Sequence, residues 1–518
     1  MVSSDPQQAG PTRATDPAPV LLVAGTASSV GKSLLVTALC RIMQQDGIRV
    51  APFKAQNMSN NAAVTADGLE IGRAQAEQAA AARVAPTVDM NPVLLKPQAD
   101  HVSQIVLEGR PAGVLRSADF RERKEKLWPA VTKALDRLRA EYDLVIAEGA
   151  GAAIEPNLRS GDIVNMGLAA YADASVVIAG DIDRGGVFGH LLGTLDLMSQ
   201  ADRARVRGFI INRFRGDRSL LGNAIEELEE RTGVPVLGVV PWIDDVELAD
   251  EDAVAIERAE ESGSSTAGQV DIAVIRLPRI ANFDDFDPLV REPGAHVRYV
   301  DRVAELRDPS LVILPGTKAT IADLTWLRST GLAEAIQRRA GQGSHVLGIC
   351  GGFQMLGETL HDEAGIEGPS QGAVEGLGLL PLATTFSPAK VTRRVSGTLV
   401  AGQGVWASAS GAVVSGYEIH MGATQDMSNS ANGVAAFLEL NGRSDGAISG
   451  DGRIVGTYLH GLFHNDGVRE SLLRGFGWQG AFAGNAWAAR DAAFDRLAST
   501  VRQHLDMQRL RALLRPPN

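Results

Sequence analysis

At roughly 150 residues per domain, the 518 residues of the chain make about two to four domains. Apolar residues at 45% and charged residues at 22% match ordinary globular usage and exclude wholesale disorder. Fifty lysines and arginines face 62 acids, a formal net charge of −12; that balance argues against a broad basic surface for nucleic acid but allows a local basic pocket.

Residues 1–18 lack an apolar signal core and read as a flexible polar leader, and nothing in the chain points outside the cytoplasm. From 19 onward, short apolar runs alternate with helical patterns. The run 20–24 is followed by a Gly/Ser loop and by Leu34, Leu35, Ala38, Leu39, Ile42 and Met43 at helical spacing, with Gly47 as the stop. Further runs at 143–149, 174–181, 206–212 and 234–241 are apolar on both faces, which predicts parallel strands covered on two sides. The acidic, then small and polar, segment 244–270 predicts a linker. A second α/β series occupies 271–480, with strands expected at 271–278, 310–316, 344–350 and 453–461, and 481–518 reads as a helical tail. The uncharged stretch 395–417 exceeds membrane-spanning length, but its Gly, Ser and Gln content predicts strand–turn–strand.

The loop Gly25-Thr26-Ala-Ser-Ser-Val-Gly31-Lys32-Ser33 sits between an apolar strand and an amphipathic helix. Backbone N–H groups there would wrap phosphate, Lys32 would neutralise β/γ charge, and the Ser33 hydroxyl would reach Mg²⁺. Five residues separate Gly25 from Gly31, one more than the standard spacing. Glu148 ends a predicted strand at the carboxyl edge and is the first choice of metal ligand. Asp181 and Asp183 are the second choice, with capping of the following helix as their alternative role. Lys54, Gln56 and Asn57 emerge at the same edge, as phosphate or acceptor-substrate contacts or as a polar turn. Asn212 suits an adenine edge or a plain turn. Cys40 lies on the apolar face of the first helix, a core position.

In the second series, Cys350 stands at an abrupt strand-to-helix turn in Gly-Ile-Cys-Gly-Gly, where a nucleophile is exposed and glycines relieve strain. The helix N-terminus favours thiolate, the Gly351 amide faces a developing oxyanion, and a second donor is expected from the loop at Gly316. A thiol needs a base. Of nine histidines, His460 and His420 both end or occupy predicted strands, and spacing does not choose between them.

The turn GICGGFQMLG and the later His460 resemble class I glutamine amidotransferase domains. The resemblance implies Cys350 as nucleophile, His460 as its partner, and a glutamine contact at Gln354. Leu462 stands where many relatives carry a glutamate, so a Cys–His dyad is implied. The first half, with its Gly-Thr-(four residues)-Gly-Lys-Ser loop and Glu-Gly-Ala-Gly turn, resembles the dethiobiotin synthetase type of P-loop enzyme. The two halves in this order resemble the cobyrinic acid amidating enzymes, and the segments 53–62, 91–109, 148–169 and 276–289, with GYEIHMG and GTYLHGLFHND, carry the likeness over nearly the whole chain.

The resemblance implies an α/β fold: a P-loop doubly wound domain over 19–243 and a class I amidotransferase domain over 271–480. It also implies ATP- and glutamine-dependent amidation of adenosylcobyrinic acid a,c-diamide at its b, d, e and g carboxylates, with Mg²⁺ beside ATP and cobalt arriving inside the substrate. The expected partners are small molecules, with neither nucleic acid nor membrane; homo-oligomerisation is left open. The rival readings are cobyrinic acid a,c-diamide synthesis, amidation of another polycarboxylate such as a cell-wall intermediate, and a partition-type ATPase with a degenerate second domain.

Overall fold

The computed structural model describes residues 16–99, 101–116, 123–243, 269–368, 372–427 and 433–514. Most of the expected leader and linker lies outside these residues. Their inner edges are structured: Ala18 is buried with its amide donating to the Arg139 carbonyl at 3.0 Å, and Val270 already opens a strand.

The first domain is a six-stranded parallel sheet in the order Val236–Pro241, Val206–Phe214, Ser175–Asp181, Val20–Gly25, Leu144–Glu148, Val50–Phe53. Its central strands are buried on both faces, which is why they read as unbroken apolar runs. This order brings the carboxyl ends of Val20–Gly25, Leu144–Glu148 and Val50–Phe53 side by side, where ligands of such sheets sit. The helix Lys32–Gln45 buries Leu35, Leu39, Ile42 and Met43 and ends before Gly47 at φ +80. Cys40 is fully buried in its core, and burial pushes its thiol pKa up.

The C-terminal segment is part of this same core. Asn485 caps the helix Ala486–His504 by accepting from the Ala488 amide at 2.9 Å. Leu497, Ala498 and Val501 pack with Leu35 and Leu39 of the first helix, and the buried Arg41 reaches out to Asp491 at 2.9 Å and Asp495 at 2.7 Å. The tail is therefore a covering layer of the first domain.

The second domain is built on strands Ala295–Val300, Val270–Ile275, Leu311–Leu314, His345–Ile349 and Ile454–Thr457, all parallel, with Ala447–Ile448 added antiparallel at one edge. The expected strand–turn–strand near 395–417 is a long antiparallel hairpin, Leu382–Leu399 with Val413–Asp426. Among the described residues no helix is long and apolar enough to cross a membrane.

The domains meet through small strands that the sequence reading did not resolve. Ala62, Val64, Leu94 and Val106 of the first domain form an apolar cluster with Tyr417 and Ile419 of the hairpin. Beside it the Asn282 amide donates to Asn61 Oδ1 at 2.7 Å, and the Ala62 amide to Asn282 Oδ1 at 2.8 Å.

Candidate active sites

The strand Val20–Gly25 delivers Gly25 and Thr26 to the loop that opens the first helix. Gly31 sits at φ +89, and a Cβ there would lie 2.3 Å from Asn212 Nδ2, so only glycine fits. The longer spacing is absorbed with Ser29 in the left-handed region at φ +56. Lys32 Nζ donates to the carbonyls of Ala27 at 2.9 Å and Gly151 at 3.0 Å. The loop forms one wall of a cavity of about 760 Å³ that Ser33, Lys54, Glu148, Asn212 and Trp242 also line.

Glu148, 1% exposed, is held at both oxygens. Oε1 accepts from Ser33 Oγ and Lys54 Nζ, each at 2.9 Å, and Oε2 from Gln78 Nε2 at 2.6 Å. Burial pushes this carboxyl up, but the Lys54 ammonium and the three donors outweigh it and keep the group below its usual pKa, ionised. The carboxylate of Glu148 and hydroxyl of Ser33 form a hard oxygen pair that suits Mg²⁺.

The other expected contacts divide. Asn212 lines the cavity, but its amide nitrogen donates to the Val30 carbonyl at 2.8 Å and so braces the loop. Gln56 and Asn57 line the wall, Asn57 donating to Gln75 Oε1 at 3.1 Å and Gln56 leaving Oε1 buried without a partner. Asp181 is not among the lining residues: it pairs with Arg213 at 3.0 Å and accepts the Asp183 amide at 2.9 Å. Neither acid caps the following helix Val187–Asp196, whose N-cap is Gly186.

In the second domain Cys350 occupies the strained turn expected of it, at φ +52 and ψ −109, between strand His345–Ile349 and helix Gly351–Leu356. A Cβ on Gly352 would lie 2.0 Å from the Leu314 carbonyl, so the glycine pair lets the helix close onto the neighbouring strand. Cys350, Gly316, Gln354 and His460 line one small cavity of about 50 Å³. Gln354 is fixed there, accepting from Thr320 Oγ1 and donating to the Met421 carbonyl, each at 3.0 Å.

His460, 1% exposed, lines the same cavity as Cys350 and pairs with Asp285, Nδ1 to Oδ2 at 2.7 Å, while Cys350 Sγ donates to the Ile419 carbonyl at 3.4 Å. The Gly461 amide donates to the second Asp285 oxygen at 2.8 Å. Burial lowers the imidazole pKa, but the Asp285 charge and hydrogen bond outweigh it and raise it to about 10. His420 differs: it stacks on Tyr458 with centroids 3.8 Å apart and faces the Gly422 carbonyl at 3.0 Å, and burial drops it to about 4. The geometry thus gives His460 a buried carboxylate partner and His420 none, a distinction that spacing alone did not make, although both line the cavity.

Asp285 corrects the dyad expected from Leu462, since the imidazole has a buried carboxylate partner after all. It comes from 276–289, a segment noticed for its likeness to the family and not for any single acid. Asp284, Asp285 and Asp287 are all plausible from spacing, and only the fold brings 285 to a histidine 175 residues away.

One helix touches both sites. In Arg73–Ala81, Gln78 holds Glu148 while Arg73 pairs with Asp284 at 3.0 Å and donates to the Tyr417 hydroxyl at 2.5 Å. Tyr417 in turn stacks on His460, centroids 5.3 Å apart and planes at 15°.

Residues 21–255 match the CobQ/CobB/MinD/ParA nucleotide binding domain, and residues 271–468 match the CobB/CobQ-like glutamine amidotransferase domain. With the two sites just described, this defines a glutamine amidotransferase joined to a nucleotide-binding domain in one chain. Full-length relatives narrow the class. The cobyric acid synthases of Chloroflexus aurantiacus and Roseiflexus castenholzii are 53% and 51% identical, each over 96% of this chain and 99% of the relative. That of Sorangium cellulosum is 49% identical over 95% of this chain and 97% of its own length. The chain belongs to the cobyric acid synthase family.

Proposed function

We propose that the protein amidates the b, d, e and g carboxylates of adenosylcobyrinic acid a,c-diamide, a cytoplasmic reaction of cobalamin biosynthesis on small-molecule substrates. The observation that carries this is the pairing, within a cobyric acid synthase chain, of a phosphate-binding loop with an assembled Cys350–His460–Asp285 constellation.

A carboxylate does not expel oxide at neutral pH, so it must first be activated. In the first domain the carboxylate oxygen attacks the γ-phosphorus of ATP, ADP leaves and an acyl phosphate forms. Lys32 and the loop amides neutralise and position the phosphates, and Lys54 supplies a second cation at the cavity wall. Ser33 and Glu148 would hold Mg²⁺, which supplies charge neutralisation when bound.

In the second domain the Cys350 thiolate attacks the side-chain amide of glutamine, with amides near Gly316 and Gly351 facing the oxyanion. His460 gives a proton to the departing nitrogen, ammonia leaves, and water releases glutamate from the thioester. Ammonia then attacks the acyl phosphate carbon, expelling phosphate. Its release beside the Tyr417 and Ile419 cluster supports transfer toward the first domain, out of bulk water that would protonate it.

The test is incubation with the a,c-diamide, ATP, Mg²⁺ and amide-¹⁵N glutamine. Mass analysis should show labelled amide at each of the b, d, e and g positions. In a parallel incubation with cobyrinic acid, label entering only at a and c, together with no label added to the a,c-diamide, would assign the earlier reaction instead.

A further inference from the structure

The second domain holds a further cavity, about 470 Å³ in volume, to which the reaction steps above give no role. That size falls in the range of about 300–1,000 Å³ in which small ligands bind. The cavity at Cys350, about 50 Å³, has room for a few water molecules and not for an amino acid. Glutamine must nonetheless reach that thiol. Among the described residues, His420 alone lines both cavities.

The two rings at this boundary are held unequally. Tyr458 is fixed: Phe353 meets it edge-on with centroids 5.2 Å apart, and its hydroxyl shares a hydrogen bond with Thr424 Oγ1 at 2.7 Å and accepts one from Gln354 Nε2 at 3.3 Å. His420 rests on that ring, and its one hydrogen bond among the described residues is to the Gly422 carbonyl of its own strand. A stacked face and a local hydrogen bond are a weak hold. The hairpin is also irregular here: Met421 pairs with Lys390 but Ala423 with Thr385, so residues 386–389 bulge out opposite Gly422. Burial keeps the imidazole neutral, its pKa down at about 4, so its movement drags no charge through the wall. The larger cavity presents both signs of charge, Arg393 and Arg443 with Glu418 and Asp445, which suits a zwitterion better than a polyanion.

We propose that the larger cavity is the vestibule through which an α-amino acid donor reaches Cys350 and its acid product leaves, with the His420 side chain as the gate between vestibule and thiol. The inference rests on the reading of Cys350 as the glutaminase nucleophile. Turning to another rotamer, the ring leaves Tyr458 and joins the two cavities; turning back, it closes the small cavity while the thioester stands. A closed gate also denies ammonia the path by which the donor entered.

The test uses the full chain and two alkylating reagents, the small iodoacetamide and the bulkier N-ethylmaleimide. The other cysteine, Cys40, is fully buried, so the rates report Cys350. His420→Ala removes the gate: N-ethylmaleimide should react at least about tenfold faster and iodoacetamide only a few-fold faster, with kcat for glutamine changed only a few-fold. Ala423→Trp, on an exposed part of the vestibule lining, should obstruct it, lowering kcat/KM for glutamine and the N-ethylmaleimide rate at least about tenfold each. Ser444→Trp, from a different strand of the same lining, repeats the obstruction should the first variant fail to fold, with circular dichroism and ammonium-driven ligation as the checks. Wild-type reagent rates in His420→Ala, or wild-type glutamine kinetics in a folded tryptophan variant, would overturn the gate. So would a loss of kcat in His420→Ala as large as that in His460→Ala, which would make this ring a base. A wild-type chain that neither hydrolyses glutamine nor is alkylated at Cys350 would instead overturn the nucleophile.

Discussion

Asp285 does for His460 what a buried carboxylate does in other nucleophile–imidazole–acid constellations: it orients the ring and stabilises the imidazolium. Asp285→Asn should lower kcat for glutamine hydrolysis by about 10²–10⁴-fold. It should also lower the His460 pKa, so that less thiolate forms at neutral pH and iodoacetamide alkylates Cys350 more slowly; a rate-against-pH series reads this directly. The linkage has a definite sign. The His460 pKa is raised to about 10 in the folded chain, against about 6.5 unfolded. The stability it contributes is therefore complete below about 6.5 and is lost as pH rises through about 10. Melting temperatures of wild type and Asp285→Asn should converge across that window, and a gap that widened toward alkaline pH would contradict the assignment. Cys350→Ala should abolish glutamine use and retain ligation driven by ammonium.

The helix Arg73–Ala81 joins two chemistries at the scale of one element. Arg73 fixes Asp284, the neighbour of Asp285, and also Tyr417, which packs on the imidazole. Asp284 shows the strain of that position: burial raises its carboxyl to about 6 against the pull of Arg73. Arg73→Ala should slow glutamine hydrolysis at least about tenfold, because a buried charge loses its partner next to the base. Glutaminase kinetics beside ligation kinetics in ammonium would separate this from general unfolding. At the other end of the fold, Lys32→Ala should remove ligation with either nitrogen source. The elements that carry Lys32 and Cys350 were readable because their signals are local: an apolar run, a glycine loop and a helix face within a few residues. The strands Ala62–Val64 and Glu70–Gly72 were not, since three residues hold no periodicity to detect. They supply the contacts between domains, and Arg73 gains its meaning only from those contacts, while Asp285 gains its own from a long-range contact within the second domain.

At the scale of the whole molecule, the segment expected as a helical tail is a layer of the first domain. Leu497 is fully buried against the first helix, so Leu497→Ala should cost about 2–5 kcal/mol. Calorimetry should place the loss in the transition that bound nucleotide shifts, and not in a separate C-terminal one. The same return of the chain has a consequence for how the protein is made. Domains generally fold as they leave the ribosome, first domain first, at about 5–20 residues per second. Here the surface formed by Leu35 and Leu39 waits for Leu497 and Val501, which are synthesised on the order of tens of seconds after the last strand of the first sheet. Throughout that interval the nascent chain presents an uncovered apolar face, a natural client surface for a chaperone, and a message truncated before the final helix would yield a first domain prone to aggregate.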